Sequence, residues 1–249
     1  MVRLIVAFLV ILSAQTCLYC GDDFASSDIG KEAINLGLKF LDNPGDFLFN
    51  LHSDNVDFTP VIKDKNVTLR TNFYPTTFPT TWLNMNLKVK ILSDGGFSPW
   101  VPQVDLLGEY GKMAVLDMVA SSATKLSNSD YAIGVVVTKE VAENTRLYAG
   151  INYSKTELIT NFDKPIEFGA FKLSQLSVNV GDTFIFTGIE NQVREDPPKR
   201  VVAHLGYGLK TKKVVSRVAW YTKNLELGFN IYPEGLFVVH PFLAWHWYF

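Results

Sequence analysis

Residues 237–249 alternate between two faces, and the alternation runs to the last residue of the sequence. Phe237, Val239, Pro241, Leu243, Trp245, Trp247 and Phe249 fall on one face of an extended chain. His240, Ala244 and His246 fall on the other, with Phe242 and Tyr248 as exceptions. Residues i and i+2 share a face only in a strand, so the period sets the local structure. It also restricts the surroundings, because chain termini normally fray into water and this one carries five aromatics among its last eight residues.

The same period recurs upstream. Leu83–Ile91 puts an apolar residue at every odd position and Asn84, Asn86, Lys88 and Lys90 at the even ones, the mark of a sheet with unlike faces. Leu225–Ile231 repeats it with Glu226, Gly228 and Asn230 on the second face. Val201–Leu209 does so with His204, Gly206 and Gly208, and Arg146–Ser154 with Gly150 and Asn152. Interior glycine weakens a strand, so Gly134, Gly150, Gly206, Gly208 and Gly228 on the polar face point to a space crowded by neighbouring side chains. Segments bounded by turn residues number about twelve, within a range of ten to fourteen: 67–75, 83–92, 100–109, 112–120, 130–139, 146–156, 171–180, 183–190, 200–210, 213–222, 224–232 and 236–249. The shortest connections fall at 179–182, 221–224 and 232–235. Phase slips at Ser174–Gln175 and near Val135–Val137 read as bulges or as stretches covered on both faces.

The terminal pattern resembles the last strand of bacterial outer-membrane β-barrels, which carries alternating apolar residues and a final aromatic read by the assembly machinery. The resemblance is close over the final ten or so residues and extends to the rest of the chain in pattern. It implies an all-β fold, an antiparallel transmembrane β-barrel, in contact with outer-membrane lipid and the barrel-assembly machinery. Leu243, Trp245, Trp247 and Phe249 would be the assembly signal. In such a barrel the apolar face meets lipid and the polar face lines the lumen, which assigns Asn84, Asn86, Lys88, Lys90, Asn152, His204, Glu226 and Asn230 to the lumen. A secreted soluble β-sandwich that binds a ligand would turn the same faces the other way round, and alternation alone does not separate the two.

The remaining features fit export to the outer membrane of a Gram-negative bacterium. Arg3 followed by the apolar run Leu4–Ala14 is shorter than the ~20 residues a membrane-crossing helix needs, so residues 1–20 read as a cleaved signal peptide. The two cysteines, Cys17 and Cys20, fall inside it, leaving no thiol chemistry. Residues 21–60 read as an N-terminal periplasmic segment and 61–249 as the barrel. Within the former, Ser27–Asp28 caps an expected short helix through Leu41, which Asn43-Pro44-Gly45-Asp46 stops; a surface helix and a lumenal plug are both open for it. Aromatics at 13 % suit two interfacial girdles. With 23 basic and 25 acidic residues and no clustered basic face, the chain lacks the footprint of a nucleic-acid binder.

No catalytic motif is present, and no cofactor is expected. His52, His204, His240 and His246 have no local partner at metal-ligand spacing, and His240 and His246 stand roughly 20 Å apart along their strand. An outer-membrane lipid-modifying hydrolase or acyltransferase would need a Ser/His pair, for which His204 and Ser216 are the best candidates. Glu226 is placed to neutralise Arg217. The mixed, amide-rich lumen suits an envelope structural role or a narrow passive channel for small solutes, without the single-sign ring that sets ion selectivity. One feature conflicts with the barrel pattern. Counting twelve strands back from a periplasmic C-terminus puts the long stretches 121–129, 157–170 and 191–199 on the periplasmic side, where turns should be short; a miscount near 210–235 would remove the conflict.

Overall fold

The alternation resolves into ten strands. In the computed structural model, which describes residues 44–78, 82–113, 123–168, 171–194, 199–233 and 238–249, one helix, α1 (Pro44–Asn55), precedes β1 (Val67–Tyr74), β2 (Trp82–Leu92), β3 (Gln103–Met113), β4 (Ala123–Ala142), β5 (Thr145–Phe168), β6 (Phe171–Arg194), β7 (Lys199–Gly208), β8 (Val214–Thr222), β9 (Leu225–Ile231) and β10 (Val239–Tyr248). Each strand pairs antiparallel with its sequence neighbours, and β1 pairs with β10 to close a barrel. Closure runs from Thr68 opposite Tyr248 to Tyr74 opposite Leu243, with a bulge after Asn72. A closed ladder leaves no unpaired edge. Among the described residues no helix is long and apolar enough to cross a membrane.

The count of twelve divided two continuous strands. Asn179-Val180-Gly181-Asp182 is not a turn: Val180 pairs with Thr156 and Asp182 with Ser154 in the middle of β6. Gly108 to Gly111 likewise runs unbroken through β3, opposite β2 and β4. The expected strand 112–120 survives only as the end of β3, its remainder lying outside the described residues. Val135–Val137 pairs in regular register with β3, so the phase slip there is no bulge; Val136 simply turns an apolar side chain inward. At Ser174 the pairing with β5 does shift, between Asn161 and Ile166.

The miscount lies at 109–112 and 179–182 and not near 210–235; correcting it moves 121–129 and 157–170 to the other end of the barrel and leaves 191–199 where the count put it. One end of the barrel, the turn end, carries the start of β1, the end of β10, the two-residue connections 143–144 and 223–224, the connection 195–198 and the ten-residue connection 93–102. Asn144 and Lys223 occupy the left-handed region there, at φ 62° and 51°. The opposite end, the loop end, carries the connections 75–81, 114–122, 209–213 and 232–238 and the extended tips of β4, β5 and β6. Residues 123–129 and 157–168 are therefore strand at the loop end, not connections at the turn end.

A helix starts within Asn43-Pro44-Gly45-Asp46: α1 begins at Pro44. Proline suits a first helical turn because its missing N–H would have no partner there and its φ is already helical. The helix expected between Ser27 and Leu41 and the signal peptide both lie outside the described residues.

The two faces of the wall differ sharply. Outward side chains in β2, β5, β7 and β9 are large, apolar and exposed, among them Leu83, Met85, Leu87, Ile151, Leu205 and Leu227. Inward side chains are buried and mostly polar: Arg70, Asn72, Asn86, Lys88, Arg217 and Glu226 are at most 2 % exposed. The exterior of the barrel is greasy and its interior is charged.

Candidate functional site: the occupied lumen

The interior is filled by the chain itself. Residues 49–61, expected in a separate segment, run through the barrel from the loop end to the turn end. Phe49 stacks on Phe184 at 5.8 Å and lies under the Lys213 ammonium. At the next residue, the Asn50 carbonyl accepts a hydrogen bond from the Tyr232 hydroxyl at 3.0 Å. The Asn55 carbonyl accepts from Arg70 Nη1 at 2.8 Å and Asn86 Nδ2 at 2.7 Å. Thr59 receives the Lys88 ammonium on both its carbonyl and its hydroxyl. At the turn end the Val61 amide donates to Asp105 Oδ2 at 2.9 Å, and its carbonyl accepts from Gln103 and Arg146.

This segment presents different chemistry to different walls. Phe49 and Phe58 face β6 and β7, where Phe58 lies 4.8 Å from Phe186 and 5.4 Å, edge-on, from His204. Its two carboxylates face elsewhere. Asp54 accepts from Asn230 Nδ2 at 2.5 Å and from the Tyr232 hydroxyl at 2.6 Å, and His240 Nδ1 lies 2.8 Å from its second oxygen. Asp57 meets Lys88 Nζ at 2.7 Å. A buried carboxylate is tolerated only when so satisfied.

The wall carries its own network. Glu226 Oε2 accepts from Arg70 Nε at 2.7 Å and lies 2.8 Å from His246 Nε2, while Oε1 accepts from the Tyr221 hydroxyl at 2.7 Å. Arg217, the expected partner of Glu226, is further off at 3.7 Å and gives its Nε to Asn230 at 2.7 Å. Nearer the turn end Glu190 is clamped between Arg146 at 2.7 Å and Arg200 at 2.9 Å. A recess of about 440 Å³ opens at that end, lined by Ile62, Lys63, Glu140, Arg146, Glu190 and Arg200 with others.

Of the residues assigned to the lumen by their parity, Asn84, Asn86, Lys88, Asn152, His204, Glu226 and Asn230 are buried in the interior, and Lys90 is part-exposed, donating to the carbonyls of Ile62 and Lys63. The two exceptions in the last strand have physical reasons. Phe242 points inward as a π-face beneath Arg217 and Arg70, at 4.6 and 5.8 Å, and Arg200 stands between Tyr221 and Tyr248 at 4.0 and 5.9 Å. Leu243, Trp245, Trp247 and Phe249 form the outward row of β10, with Phe249 62 % exposed. The crowding expected at the inward glycines is present at Gly134, Gly150, Gly208 and Gly228, where a Cβ on Gly228 would stand 2.8 Å from the Phe242 ring and one on Gly150 2.5 Å from that of Phe186; at Gly206 nothing would be nearer than 3.6 Å.

His204 and Ser216 do not meet. His204 pairs with Arg217 and Ser216 with Leu205, so the two side chains leave opposite faces of the wall, and the Ser/His arrangement of a lipid-modifying enzyme is not formed by them. Sequence reasoning left a lumenal plug open for the segment before the barrel but did not single out residues 49–61, although an isolated stretch holding Asp54 and Asp57 between Phe49 and Phe58 is the complement of a wall that carries both charges and inward phenylalanines. It also missed a cluster of His52 on α1, Glu109 on β3 and Asp130 on β4, all buried, whose ligand atoms lie within 4.8 Å of one another. No protein-family model, no curated protein and no solved structure matches this chain.

Proposed function

We propose that this chain is an integral β-barrel of a bacterial outer membrane, held shut at rest by residues 44–61 and serving as a structural element of the envelope. The observation that carries this reading is the reversal of sides. A barrel in water buries its apolar side chains; here they point outward, and five basic and eight acidic side chains are buried among the described residues. Two groups of aromatics support it. Trp220, Trp245, Trp247 and Phe249 gather on and beside β8 and β10 at the turn end, and Tyr110, Tyr131, Tyr153 and Tyr207 stand on β3, β4, β5 and β7 towards the loop end, all exposed. Between them the apolar outward row of β2, Leu83 to Ile91, covers roughly 26 Å of strand, the scale of a lipid-facing band.

On this reading the turn end faces the periplasm, as short turns do, and the assembly machinery reads Leu243, Trp245, Trp247 and Phe249. The test is the mobility of the protein from detergent-extracted outer membranes on an SDS gel with and without boiling. A heat-dependent shift is expected, together with baseline conductance in liposomes. Release into buffer without detergent would refute the membrane assignment. A narrow passive channel is the second reading, favoured by the recess at the turn end; discrete conductance steps from the intact chain would decide for it.

A further inference from the structure

We infer that His52, Glu109 and Asp130 form a site for one divalent transition metal of the zinc class, which fastens the lumenal segment to the wall. Glu109 and Asp130 are 5 % and 0 % exposed, and His52 is 1 % exposed. Neither oxygen of Glu109 has a hydrogen-bond donor, and His52 Nε2 and Asp130 Oδ2 also lack partners. The contrast with the rest of the lumen is sharp, since Glu190 and Glu226 each have arginine partners and Asp57 has a lysine. Among the described residues no lysine or arginine forms a salt bridge with Glu109 or Asp130.

The ligand chemistry selects the ion. One imidazole nitrogen and two carboxylates suit zinc and its neighbours, whereas calcium and magnesium take six or more oxygens. Zinc bonds of ~2.1 Å in tetrahedral array hold ligand atoms roughly 3.4 Å apart, so the ligand atoms, all within 4.8 Å of one another, need only small shifts, the touching His52 and Asp130 atoms moving apart. The three donors come from separate elements. His52 Nδ1 already touches Asp130 Oδ1, whose carboxylate is anchored by the Thr156 hydroxyl at 2.8 Å. Gly111, paired with Asp130, leaves the room this carboxylate occupies: a Cβ there would collide with it. Two negative charges brought together in an interior with an acid excess are compensated by a cation with charge +2. The inference rests on the occupied lumen and not on the membrane assignment.

The experiment uses the untagged full chain folded in detergent, its fold verified by the heat-dependent gel shift, stripped with chelator and titrated with Zn²⁺ by calorimetry. About one zinc per chain is expected, with a rise in thermal midpoint that Mg²⁺ does not reproduce. Co²⁺ should give a visible ligand-field spectrum that His52→Ala abolishes. His52→Ala and Glu109→Gln should each weaken zinc by more than the ~100-fold that loss of a mere outer-shell partner costs; Asp130→Asn serves if either fails to fold. No uptake by the intact chain, or equal uptake by the folded variants, overturns the site. If instead Glu109 and Asp130 share a proton, the chain binds no zinc and Glu109→Gln leaves its thermal midpoint unmoved or raised, which also overturns it.

Discussion

The body of the barrel and the arm formed by the tips of β4, β5 and β6 are one continuous sheet with two different exteriors. Below Tyr131 and Tyr153, outward positions carry Ile133, Val137, Leu147, Ile151, Ile185 and Ile189, all exposed. Above them the same strands turn out Ser129, Lys155, Glu157, Gly181 and Asn179, with Ser177 and Gln175 beyond. The ladder does not change at that boundary: Tyr153 pairs with Thr183 and Glu157 with Asn179 in unbroken register. Hydrogen bonding therefore sets how far the strands run, and side-chain chemistry alone sets where the greasy band stops. Strand length is a poor measure of band height in this molecule.

That comparison can be tested from several sides. Deleting Phe249 should have the largest effect. Its carbonyl accepts from the Asn66 and Val67 amides at 2.8 and 3.1 Å, and its amide donates to Val67 at 2.9 Å, completing the β1–β10 seam. The expected result is an unassembled, protease-sensitive chain with no heat-shifted band. Wild-type amounts of that band would show that the body closes without its seam residue.

Glu226→Ala should rank next. It strips a carboxylate from Arg70 and His246, and breaking a buried pair leaves an uncompensated charge costing about 3–5 kcal/mol. Urea unfolding in detergent micelles measures this, and a loss below 1 kcal/mol would mean that water reaches the arginine. Leu227→Arg on the outer face of the body should cost about 2–4 kcal/mol in lipid if that position lies near the bilayer centre. Asn179→Arg in the arm should stay within about 0.5 kcal/mol, as at ordinary surface sites. Equal costs in a bilayer refolding titration would erase the distinction between the two regions.

The smallest effect should come from the connection between β2 and β3. Burial alone would lift the Asp94 carboxyl, but the hydrogen bonds from Lys139 Nζ and the Glu140 amide outweigh it and hold this group below the usual aspartate range. A depressed carboxyl stabilises the fold fully above the unfolded aspartate range and loses that contribution as pH falls through its folded value. Asp94→Asn should therefore cost under about 1 kcal/mol at neutral pH and nothing at strongly acidic pH. A cost that grows on acidification would contradict the ion pair.

Much of the body was legible because period two is a local signal. β1, β2 and β7 to β10 lie within a few residues of where alternation puts them, and the parity of Asn86, Lys88 and Asn230 already assigns them a common face. β6 was divided because Asn179-Val180-Gly181-Asp182 has the composition of a turn. In the fold Asp182 serves a different turn, accepting from the Lys210 and Thr211 amides of the β7–β8 connection at 2.8 and 2.9 Å. Pro44 entered the reading only as the end of an earlier helix, although the same locked φ also opens α1. The partners of Asp54 and the grouping of His52, Glu109 and Asp130 join elements far apart in the chain, and no spacing rule sees across a barrel.

The direction in which residues 49–61 pass through the barrel has a topological consequence. Residues 49–61 pass from beside Lys213 at Phe49 to the end where Phe249 meets Val67, like a cord through a bead that the same chain forms. On the membrane reading, labels at Lys212 and at Lys223, on opposite ends of the wall, should report to opposite compartments. Only residues 62–66 separate the cord from β1, so the lumen's contents are tethered at the seam between β1 and β10 that closes the wall.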